Sequence, residues 1–356
     1  MHTLERRVLS GLDAEVSAIG AGCWTIGGPA TNRGVPIGWD HVDPDAAYAG
    51  LVRAYELGIT LYDTADVYGL GHSERLLGRL LRIADRSSVV VASKVGYFAG
   101  TACHPYHPTQ IRCQFATTLS NLGTSHLDIY FLHSTDFGDN DQYLPHAINV
   151  MRQLRKQGLI RAIGMRAPHT FAEQWATGGG PHATETARWL HLFHAIRPNV
   201  VTVRYNLLSP LYHARETDIF DFARRHHVGV LIKQVFAQGL LLRRPADPLP
   251  AFSAADHRSR DPQFQPRALA VLDTRLAPIR ARFGDNPTEL ARIALRYALQ
   301  HAPDAAVLVG FRNSGQIHTT LTCLGDPLRE DETAEIRALL NSPPDEGIPT
   351  DAVHRG

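Results

Sequence analysis

The segment LYDTADVYGLGHSERLLGRLL, residues 61–81, combines a short apolar run, a glycine-containing loop and an amphipathic helical pattern. The apolar run ends on an acid, Asp63, and a tyrosine, Tyr68, follows five residues later. Ser73 then precedes apolar residues at helical spacing, as a helix N-cap does. The segment therefore predicts one unit of strand, loop and helix, with polar groups at the carboxyl end of the strand.

The same pattern of a β-branched apolar run followed by a helical stretch recurs along the chain. Most runs are continuous rather than alternating, as expected for strands covered on both faces. We predict strands at residues 16–20, 59–63, 89–94, 127–133, 160–165, 200–205, 229–233 and 306–310. We predict helices at residues 45–57, 73–82, 109–122, 144–157, 185–196, 217–226, 287–300 and 314–324. Thr109 and Thr217 are further candidate N-caps, and Pro287 suits a first helical turn.

Eight such units predict an α/β fold, the (β/α)8 barrel, as a single domain over residues 1–342. An open doubly wound sheet is the alternative, and we favour the barrel because the units number eight and no long linker divides the chain. The residues before the first strand predict a β-hairpin that closes the bottom of the barrel. The polar, proline-rich residues 240–270 predict a long loop after the seventh strand, over the functional face. Residues 343–356 predict a flexible tail.

The composition argues against several classes of partner. The net charge of +1 gives no reason to expect a nucleic-acid surface. No apolar run approaches the roughly 18 residues that span a bilayer, and the first residues lack the apolar stretch of a signal peptide. We therefore expect a cytoplasmic protein without membrane contact, and its 4 scattered cysteines to be reduced thiols. Histidines in residues 103–107 and 225–227 lack the converging ligands of a metal site, so we predict no metal. The oligomeric state is left open.

Three predicted strands end on residues that can carry chemistry: Asp63 on the second, Lys94 on the third and His133 on the fourth. Carboxyl ends of barrel strands form the functional face, so these residues and Tyr68 are expected to meet there. An ammonium lowers the pKa of a nearby phenol, and a carboxylate balances the buried ammonium. An imidazole can donate a hydrogen bond to a carbonyl oxygen. Each residue alone has an ordinary explanation as a cap or a packed side chain, but together they predict a site that polarises and protonates a carbonyl.

Several motifs make the chain resemble the aldo-keto reductase superfamily. They are YDTADVYG (62–69), SERLLGRLL (73–81), VVVASKVG (89–96), LDIYFLH (127–133), LRKQGLIRAIG (154–164), AQGLL (237–241), DHRSRDPQFQ (256–265) and VGFRNSGQI (309–317). The resemblance covers about residues 8–340 and implies catalytic roles for four residues. Tyr68 would be the general acid and base, Lys94 paired with Asp63 would tune it, and His133 would orient the substrate carbonyl. The implied reaction is reduction of an aldehyde or ketone by NADPH, with a polar or sugar-derived substrate.

The resemblance also assigns a site for the phosphates of NADPH to the eighth unit. The sequence has no GxGxxG fingerprint that opens a helix after a strand. Instead, Gly310 ends the eighth strand, and Arg312, Gln316 and Thr320 follow at the next helix. Helix N-termini attract phosphate, and an arginine suits the adenosine 2′-phosphate. An ordinary helix cap with a surface arginine explains the local sequence equally well.

Further cofactor contacts are implied after the first and seventh strands. The loop with Phe236, Gln238, Gly239 and Leu240 resembles the one that folds over the pyrophosphate in this superfamily. Gly22, Trp24 and Asp63 are assigned to the same cofactor site from the other side of the barrel. Trp24 is expected to line the substrate pocket, and a packed core tryptophan is the alternative.

Three positions that would contact the nicotinamide carboxamide depart from the superfamily pattern. The usual Ser–Asn pair after the fifth strand is Arg166 and Ala167, the usual glutamine of the sixth is Thr202, and Lys233 stands on the seventh. The two basic residues could bind an anionic substrate or hold the carboxamide differently. Alternatively, nicotinamide binding is weakened and the four catalytic residues serve proton transfer alone. In a third interpretation, both basic residues pair with nearby acids and have no further role.

Two other functions therefore stay open beside the reductase. A lyase or epimerase could keep the barrel and the acid–base groups, and the altered carboxamide site favours it. A regulatory subunit could bind the nucleotide without turnover, and the intact set of four catalytic residues argues against it.

Overall fold

The computed structural model describes residues 4–341, and the predicted flexible tail at residues 343–356 lies outside them. Eight parallel strands close into a barrel. In chain order, β1 to β8 are Ile19–Gly22, Leu61–Asp63, Val90–Val95, Leu127–Leu132, Ile160–Arg166, Val200–Arg204, Gly229–Lys233 and Ala305–Gly310. Each strand pairs with the next, and β8 pairs with β1, so that Gly22 aligns with both Asp63 and Gly310. The predicted (β/α)8 barrel is confirmed, and the open sheet is excluded because the ring is closed.

Helices surround the barrel and alternate with its strands. In chain order, α1 to α10 are Pro44–Glu56, His72–Leu81, Pro108–Leu122, Leu144–Lys156, Ala183–Ile196, Ile219–Arg225, Pro266–Phe283, Pro287–His301, Ser314–Thr322 and Glu330–Asn341. Short 3₁₀ helices lie at Arg86–Ser88, Asp139–Asp141, Glu173–Thr177, Ala237–Leu242, His257–Ser259 and Pro262–Phe264. Within residues 4–341 no helix has the length and hydropathy needed to cross a membrane.

The helices α7 and α10 were not predicted, and α7 shortens the expected loop of residues 240–270. Pro266 occupies the first turn of α7, where its missing N–H costs nothing. Leu269, Leu272, Leu276 and Ile279 are buried along one face at helical spacing. The sequence signal was therefore present, but the polar residues before it obscured where the helix begins.

Three predicted N-caps were wrong. Ser73 lies inside the first turn of α2, where its buried hydroxyl bonds to the loops after β1 and β2. His107 caps α3 in place of Thr109, and its ring nitrogen accepts from the Thr109 N–H at 3.3 Å. Asp218 caps α6 in place of Thr217, because its carboxylate accepts from two N–H groups of the first turn. In the last two cases a neighbouring side chain with a better acceptor takes the position.

The predicted N-terminal hairpin is confirmed and consists of Arg6–Leu9 and Ala14–Ser17. Its apolar side chains Leu9, Leu12 and Val16 belong to the cluster that fills the barrel interior. At its turn, Gly11 approaches the start of β6 so closely that a Cβ would lie 2.2 Å from the Asn199 carbonyl oxygen. The hairpin therefore closes the bottom of the barrel. The first barrel strand was misplaced at residues 16–20, since residues 14–17 pair within this hairpin.

The insertion after β7 crosses the opposite end of the barrel and docks on the loop after β1. Asp256 is completely buried and accepts hydrogen bonds from the Asp40 N–H at 2.9 Å and from the Arg258 guanidinium at 2.7 Å. His257 donates its backbone N–H to the Gly38 carbonyl at 2.9 Å. A short hairpin in the β1 loop, Thr31–Asn32 with Val35–Pro36, flanks this contact. The insertion thus spans the carboxyl ends of the strands, where the site lies.

Candidate active site

Lys94 and Asp63 form a buried ion pair between adjacent strands. The Lys94 ammonium donates to Oδ2 of Asp63 at 2.7 Å and to the Thr64 carbonyl at 2.6 Å. Burial alone would lower the lysine pKa, but attraction to Asp63 and to Tyr68 raises it to about 12. Lys94 is therefore a cation at neutral pH. The other carboxylate oxygen of Asp63 is buried without a hydrogen-bond partner among residues 4–341.

The phenol of Tyr68 lies beside this cation. The Lys94 ammonium is 4.7 Å from the centre of the tyrosine ring. Burial raises the pKa of Tyr68 to about 12, although the lysine charge acts in the opposite direction. Lys94 therefore lowers the pKa of Tyr68 as expected, but in the protein without ligands burial raises that pKa by more. Tyr68 is a protonated acid at neutral pH, with a cation at hand to stabilise its conjugate base.

Glycines hold the tyrosine loop against the first barrel unit. A Cβ on Gly69 would lie 1.8 Å from the Gly27 carbonyl oxygen, and a Cβ on Gly27 would lie 2.8 Å from the Tyr68 backbone. The Ser73 N–H at the start of α2 donates to the Tyr68 carbonyl at 3.1 Å. The two loops can touch only because glycine occupies both positions. This contact fixes where the phenol sits over the barrel.

His133 follows β4 and faces the same tyrosine. Its ring makes edge contacts with Tyr68 at 6.2 Å and with Tyr97 at 4.7 Å, measured between ring centres. Burial holds the histidine pKa well below its usual range, and the charges of Lys94 and two further cations lower it more. The imidazole is therefore neutral, and its Nδ1 is buried without a partner within the described residues. A neutral imidazole can donate one hydrogen bond to a substrate oxygen.

Aromatic side chains line the other side of the phenol. Trp24 is half-buried, with its ring 6.2 Å from Tyr68 and 4.4 Å from His257. Trp39 contacts the same tryptophan edge-on at 5.4 Å. Trp24 thus lies beside the phenol and is not packed in the core, which is compatible with the predicted place in the substrate pocket. Sequence reasoning missed Tyr97 and Trp39, of which Tyr97 carried a positional signal three residues past Lys94, and it singled out the segment 256–265 of His257 without naming that residue.

Basic groups occupy the ends of β5, β6 and β7. Arg166 is paired in register with Thr202, and Arg204 with Lys233. We call Arg166, Arg204 and Lys233 the basic cluster. Thr202, like Ala167, is buried. Arg204 was not predicted, although it is a basic residue at the end of an apolar strand, and that signal would have identified it.

The basic cluster lacks compensating charge. Burial lowers the pKa of Lys233 to about 7, and repulsion from Arg166 and Lys94 contributes. An Arg166 nitrogen lies 2.8 Å from Nε2 of His169, which must accept and is therefore neutral there. Burial lowers the pKa of His169 to about 3, and Arg204 and Arg166 add to the shift. The potential in this part of the mouth is strongly positive.

The eighth unit has the features of a phosphate site. Asn313 caps α9 by accepting from the Gln316 N–H at 2.9 Å, and the Gln316 side chain accepts from the Arg312 N–H at 2.7 Å. The Arg312 guanidinium lies 5.7 Å from the centre of the Trp39 ring. Gly310 is exposed at the end of β8. The start of a helix, the exposed end of β8 and a guanidinium therefore belong to one short segment. Thr320 lies further along α9 and is half-buried.

The loop after β7 bends back over the mouth. Gln238 and Gly239 have φ angles of 58° and 94°, in the left-handed region. The Gln238 side chain lies 2.7 Å from a ring nitrogen of His257 in the insertion. Phe236 is half-buried and Leu240 is buried. The loop and the insertion are thus joined above the barrel.

The residues at the barrel mouth suit the adenosine phosphate end of a dinucleotide more closely than its nicotinamide end. The features around Arg312 and the exposed Gly310 suit phosphate groups. At the expected carboxamide position, Ala167 offers no polar side chain, and Arg166 and Lys233 bring charge instead. The residues around Arg312 are thus compatible with the expected phosphate contacts, whereas Arg166, Ala167 and Lys233 lack the neutral polar side chains expected at the carboxamide.

The comparisons with known proteins agree with this geometry. The sequence model of the aldo/keto reductase family matches residues 18–341. The aldo-keto reductase YhdN of Bacillus subtilis is 27% identical over 338 residues, covering 92% of this chain and 91% of that protein. The NADH-specific methylglyoxal reductase of Escherichia coli is 24% identical over 344 residues, covering 93% and 96%. The solved glycerol dehydrogenase of Gluconobacter oxydans shares the fold with a TM-score of 0.71 at 24% identity, covering 98% and 99%. The chain belongs to the aldo/keto reductase family of oxidoreductases.

Proposed function

We propose that the protein reduces an aldehyde or ketone to an alcohol with NADPH. The observation that carries this proposal is the Lys94–Asp63 ion pair beneath the ring of Tyr68, with neutral His133 in contact with the same ring. This arrangement supplies a proton donor, a cation that stabilises the donor's conjugate base, and a hydrogen-bond donor for a carbonyl oxygen.

The four residues divide the work at the carbonyl oxygen. Tyr68 and His133 donate hydrogen bonds to that oxygen and polarise the bond. The nicotinamide, when bound, supplies the hydride for the carbonyl carbon. Tyr68 then passes its proton to the oxygen, and Lys94 stabilises the phenolate that remains. Asp63 keeps Lys94 charged, while Trp24 and the insertion restrict water above the site.

The cofactor contacts follow from the same placement. Gly310, Arg312, Gln316 and Thr320 would hold the adenosine phosphate end, and the backbone of residues 236–240 would cover the pyrophosphate. Gly22 and Asp63 border the mouth between the two ends. Arg312 favours NADPH because a guanidinium matches the 2′-phosphate. The NADH-specific relative makes NADH the alternative to be measured.

The setting and the substrate class are part of the proposal. Cys23, Cys103, Cys113 and Cys323 are all free thiols, which supports a reducing compartment, and we place the activity in the cytoplasm. The partner is a small polar carbonyl compound, in which sugar-derived aldehydes are included. We expect neither nucleic acid nor membrane as a partner.

One observation favours a second function. The basic cluster stands where the carboxamide contacts were expected, and a lyase or epimerase needs only the proton-transfer groups. Such an enzyme would turn over a carbonyl compound without consuming nicotinamide. A regulatory subunit would bind the nucleotide and leave every carbonyl unchanged.

The test is consumption of NADPH with a panel of aldehydes and ketones, followed by absorbance. Tyr68→Phe is expected to lower kcat about 1,000-fold, within the range for general acid catalysis. Tyr48→Phe is the matched control, because Tyr48 lies on α1 and stacks on the exposed Arg79 at 4.0 Å. Nucleotide binding without consumption would support the regulatory subunit, and carbonyl conversion without nucleotide would support the lyase or epimerase.

A further inference from the structure

We propose that the basic cluster binds an anionic group of the substrate, a carboxylate or a phosphate, next to the carbonyl that is reduced. This inference rests on the proposed function and specifies its substrate class. The substrate would be a short oxo acid or a phosphorylated aldehyde or ketone.

The first support is the position of the cluster on consecutive strands. Arg166, Arg204 and Lys233 end β5, β6 and β7, and His133 follows β4 beside them. The charges of Arg166 and Lys233 both act on His133, so the cluster lies within electrostatic reach of the hydrogen-bond donor for the carbonyl. A ligand that contacts His133 with its carbonyl oxygen can therefore present a second group to the cluster within a few bonds.

The second support is missing counter-charge. Within residues 4–341 no carboxylate forms a salt bridge with a member of the cluster. Two acids act on it from a distance, Asp63 on Lys233 and Asp261 on Arg204. Asp63 already pairs with Lys94 at 2.7 Å. A half-buried cation without a partner is costly, and an anionic ligand is the charge that would compensate it.

The third support is the chemistry of the groups. Two guanidinium groups and one ammonium match the planar carboxylate and the tetrahedral phosphate, which accept several charge-assisted hydrogen bonds. Arg204 and His169 also line a small cleft with Ser209 and Tyr212. Arg204 is therefore the member of the cluster that borders this cleft.

The carbonyl assay can test this with matched substrates. Comparing kcat/KM for glyceraldehyde 3-phosphate and glyceraldehyde measures the effect of a phosphate group. Comparing succinic semialdehyde and butanal measures the effect of a carboxylate. Wild type should prefer one anionic member at least 100-fold in kcat/KM. Lys233→Gln and Arg204→Gln should each reduce that preference at least tenfold, and Arg204→Gln should change kcat/KM for the neutral member less than threefold. Equal rates for both members of both pairs would overturn the inference while leaving the reductase intact.

The matched control is Lys156→Gln, since Lys156 is exposed at the end of α4 and should leave the preference unchanged. Binding of NADPH to each variant, followed by fluorescence, separates the cluster from the cofactor site. We expect less than a threefold change in Kd for NADPH. A tenfold weaker Kd together with an unchanged substrate preference would assign the cluster to the cofactor and overturn the inference.

A binding experiment keeps the inference testable even if no carbonyl is reduced. Inorganic phosphate or malonate should raise the melting temperature of an Arg312→Ala protein, in which the nucleotide phosphate site is weakened. The rise should disappear when Lys233→Gln and Arg204→Gln are added. A rise that persists in the combined variant, or no rise with either anion, would contradict an anion subsite at the cluster.

Discussion

The Lys94 ammonium lies 2.7 Å from Oδ2 of Asp63, and both side chains are buried at the barrel mouth. A cation is thereby held next to a phenol whose own pKa burial has raised to about 12. Burial keeps Tyr68 protonated in the protein without ligands, and under the proposed function the neighbouring cation stabilises the phenolate that forms when the proton is transferred.

Removing the charge of Asp63 should damage both activity and stability. We expect Asp63→Asn to lower kcat at least 100-fold and to cost about 3 kcal/mol of unfolding free energy, because a buried cation loses its partner. The Lys94 pKa of about 12 lies above its ordinary value of 10.5, so the pair stabilises fully below pH 10.5 and less as the pH rises through 12. Urea unfolding should show that the loss of unfolding free energy in Asp63→Asn is constant between pH 7 and 9. Asp45→Asn, at an exposed position, is the control.

His133 should not titrate in the activity profile. Burial and the neighbouring cations keep its pKa well below the usual range, so the imidazole stays neutral. With a neutral carbonyl substrate, which does not engage Lys233, we expect kcat/KM of wild type to show no ionisation near pH 6.5, where a free imidazole titrates. His133→Gln should lower kcat about 100-fold through loss of a donor to the carbonyl oxygen. His146→Gln, exposed on α4, is the comparison, and a wild-type limb near pH 6.5 that vanishes in His133→Gln would refute the neutral imidazole.

Lys233 should destabilise the protein without ligand. Its pKa of about 7 lies below the ordinary 10.5, because burial and Arg166 disfavour the charge. Below pH 7 the folded protein bears the full cost of the buried charge, and the cost falls as the pH rises toward 10.5. Lys233→Met should therefore raise the melting temperature by a few degrees at pH 6.5 and by less at pH 9. Lys156→Met should leave the melting temperature unchanged at both pH values. A rise in melting temperature of Lys233→Met that is larger at pH 9 than at pH 6.5 would contradict the lowered pKa of Lys233.

Arg312 should discriminate between the two nicotinamide cofactors. Its guanidinium lies at the start of α9, where the 2′-phosphate of NADPH is expected. We expect Arg312→Ala to raise KM for NADPH at least tenfold and to change KM for NADH less than threefold. Steady-state kinetics with both cofactors measure this. Arg215→Ala, on an exposed loop, is the control, and equal losses for both cofactors would remove the role of Arg312 in selectivity.

Asp256 should hold the insertion closed over the mouth. Although burial opposes ionisation, hydrogen bonds from Arg258 and two backbone N–H groups keep the pKa of Asp256 at about 2. We expect Asp256→Ala to speed hydrogen exchange in residues 253–265 and to raise Kd for NADPH at least tenfold. Asp247→Ala is the control, since this residue of the same insertion pairs locally with Arg244. Unchanged exchange in Asp256→Ala would show that other contacts keep the insertion in place.

Local sequence patterns predicted the parts of the molecule that depend on nearby residues. Apolar runs and helical periodicity located eight strand–helix units, and glycine at positions such as Gly69 allowed the close turns between them. The parts that depend on distant residues were missed or misplaced. The predicted start of β1 was too early, because residues 14–17 pair within the N-terminal hairpin. The prediction of Ser73 as an N-cap was wrong because its hydroxyl bonds to the distant loop after β1, and local sequence does not reveal that contact.

The sequence by itself determined the barrel and the four residues at its mouth, because strand ends and residue types are local properties and the topology of a closed parallel barrel brings those ends together. Only the tertiary structure decided the protonation states of these residues. Burial, set by packing from the whole chain, keeps Tyr68 protonated and His133 neutral. The pairing of β5, β6 and β7 adds Arg204 to Arg166 and Lys233, since charge density depends on distances that no single segment contains.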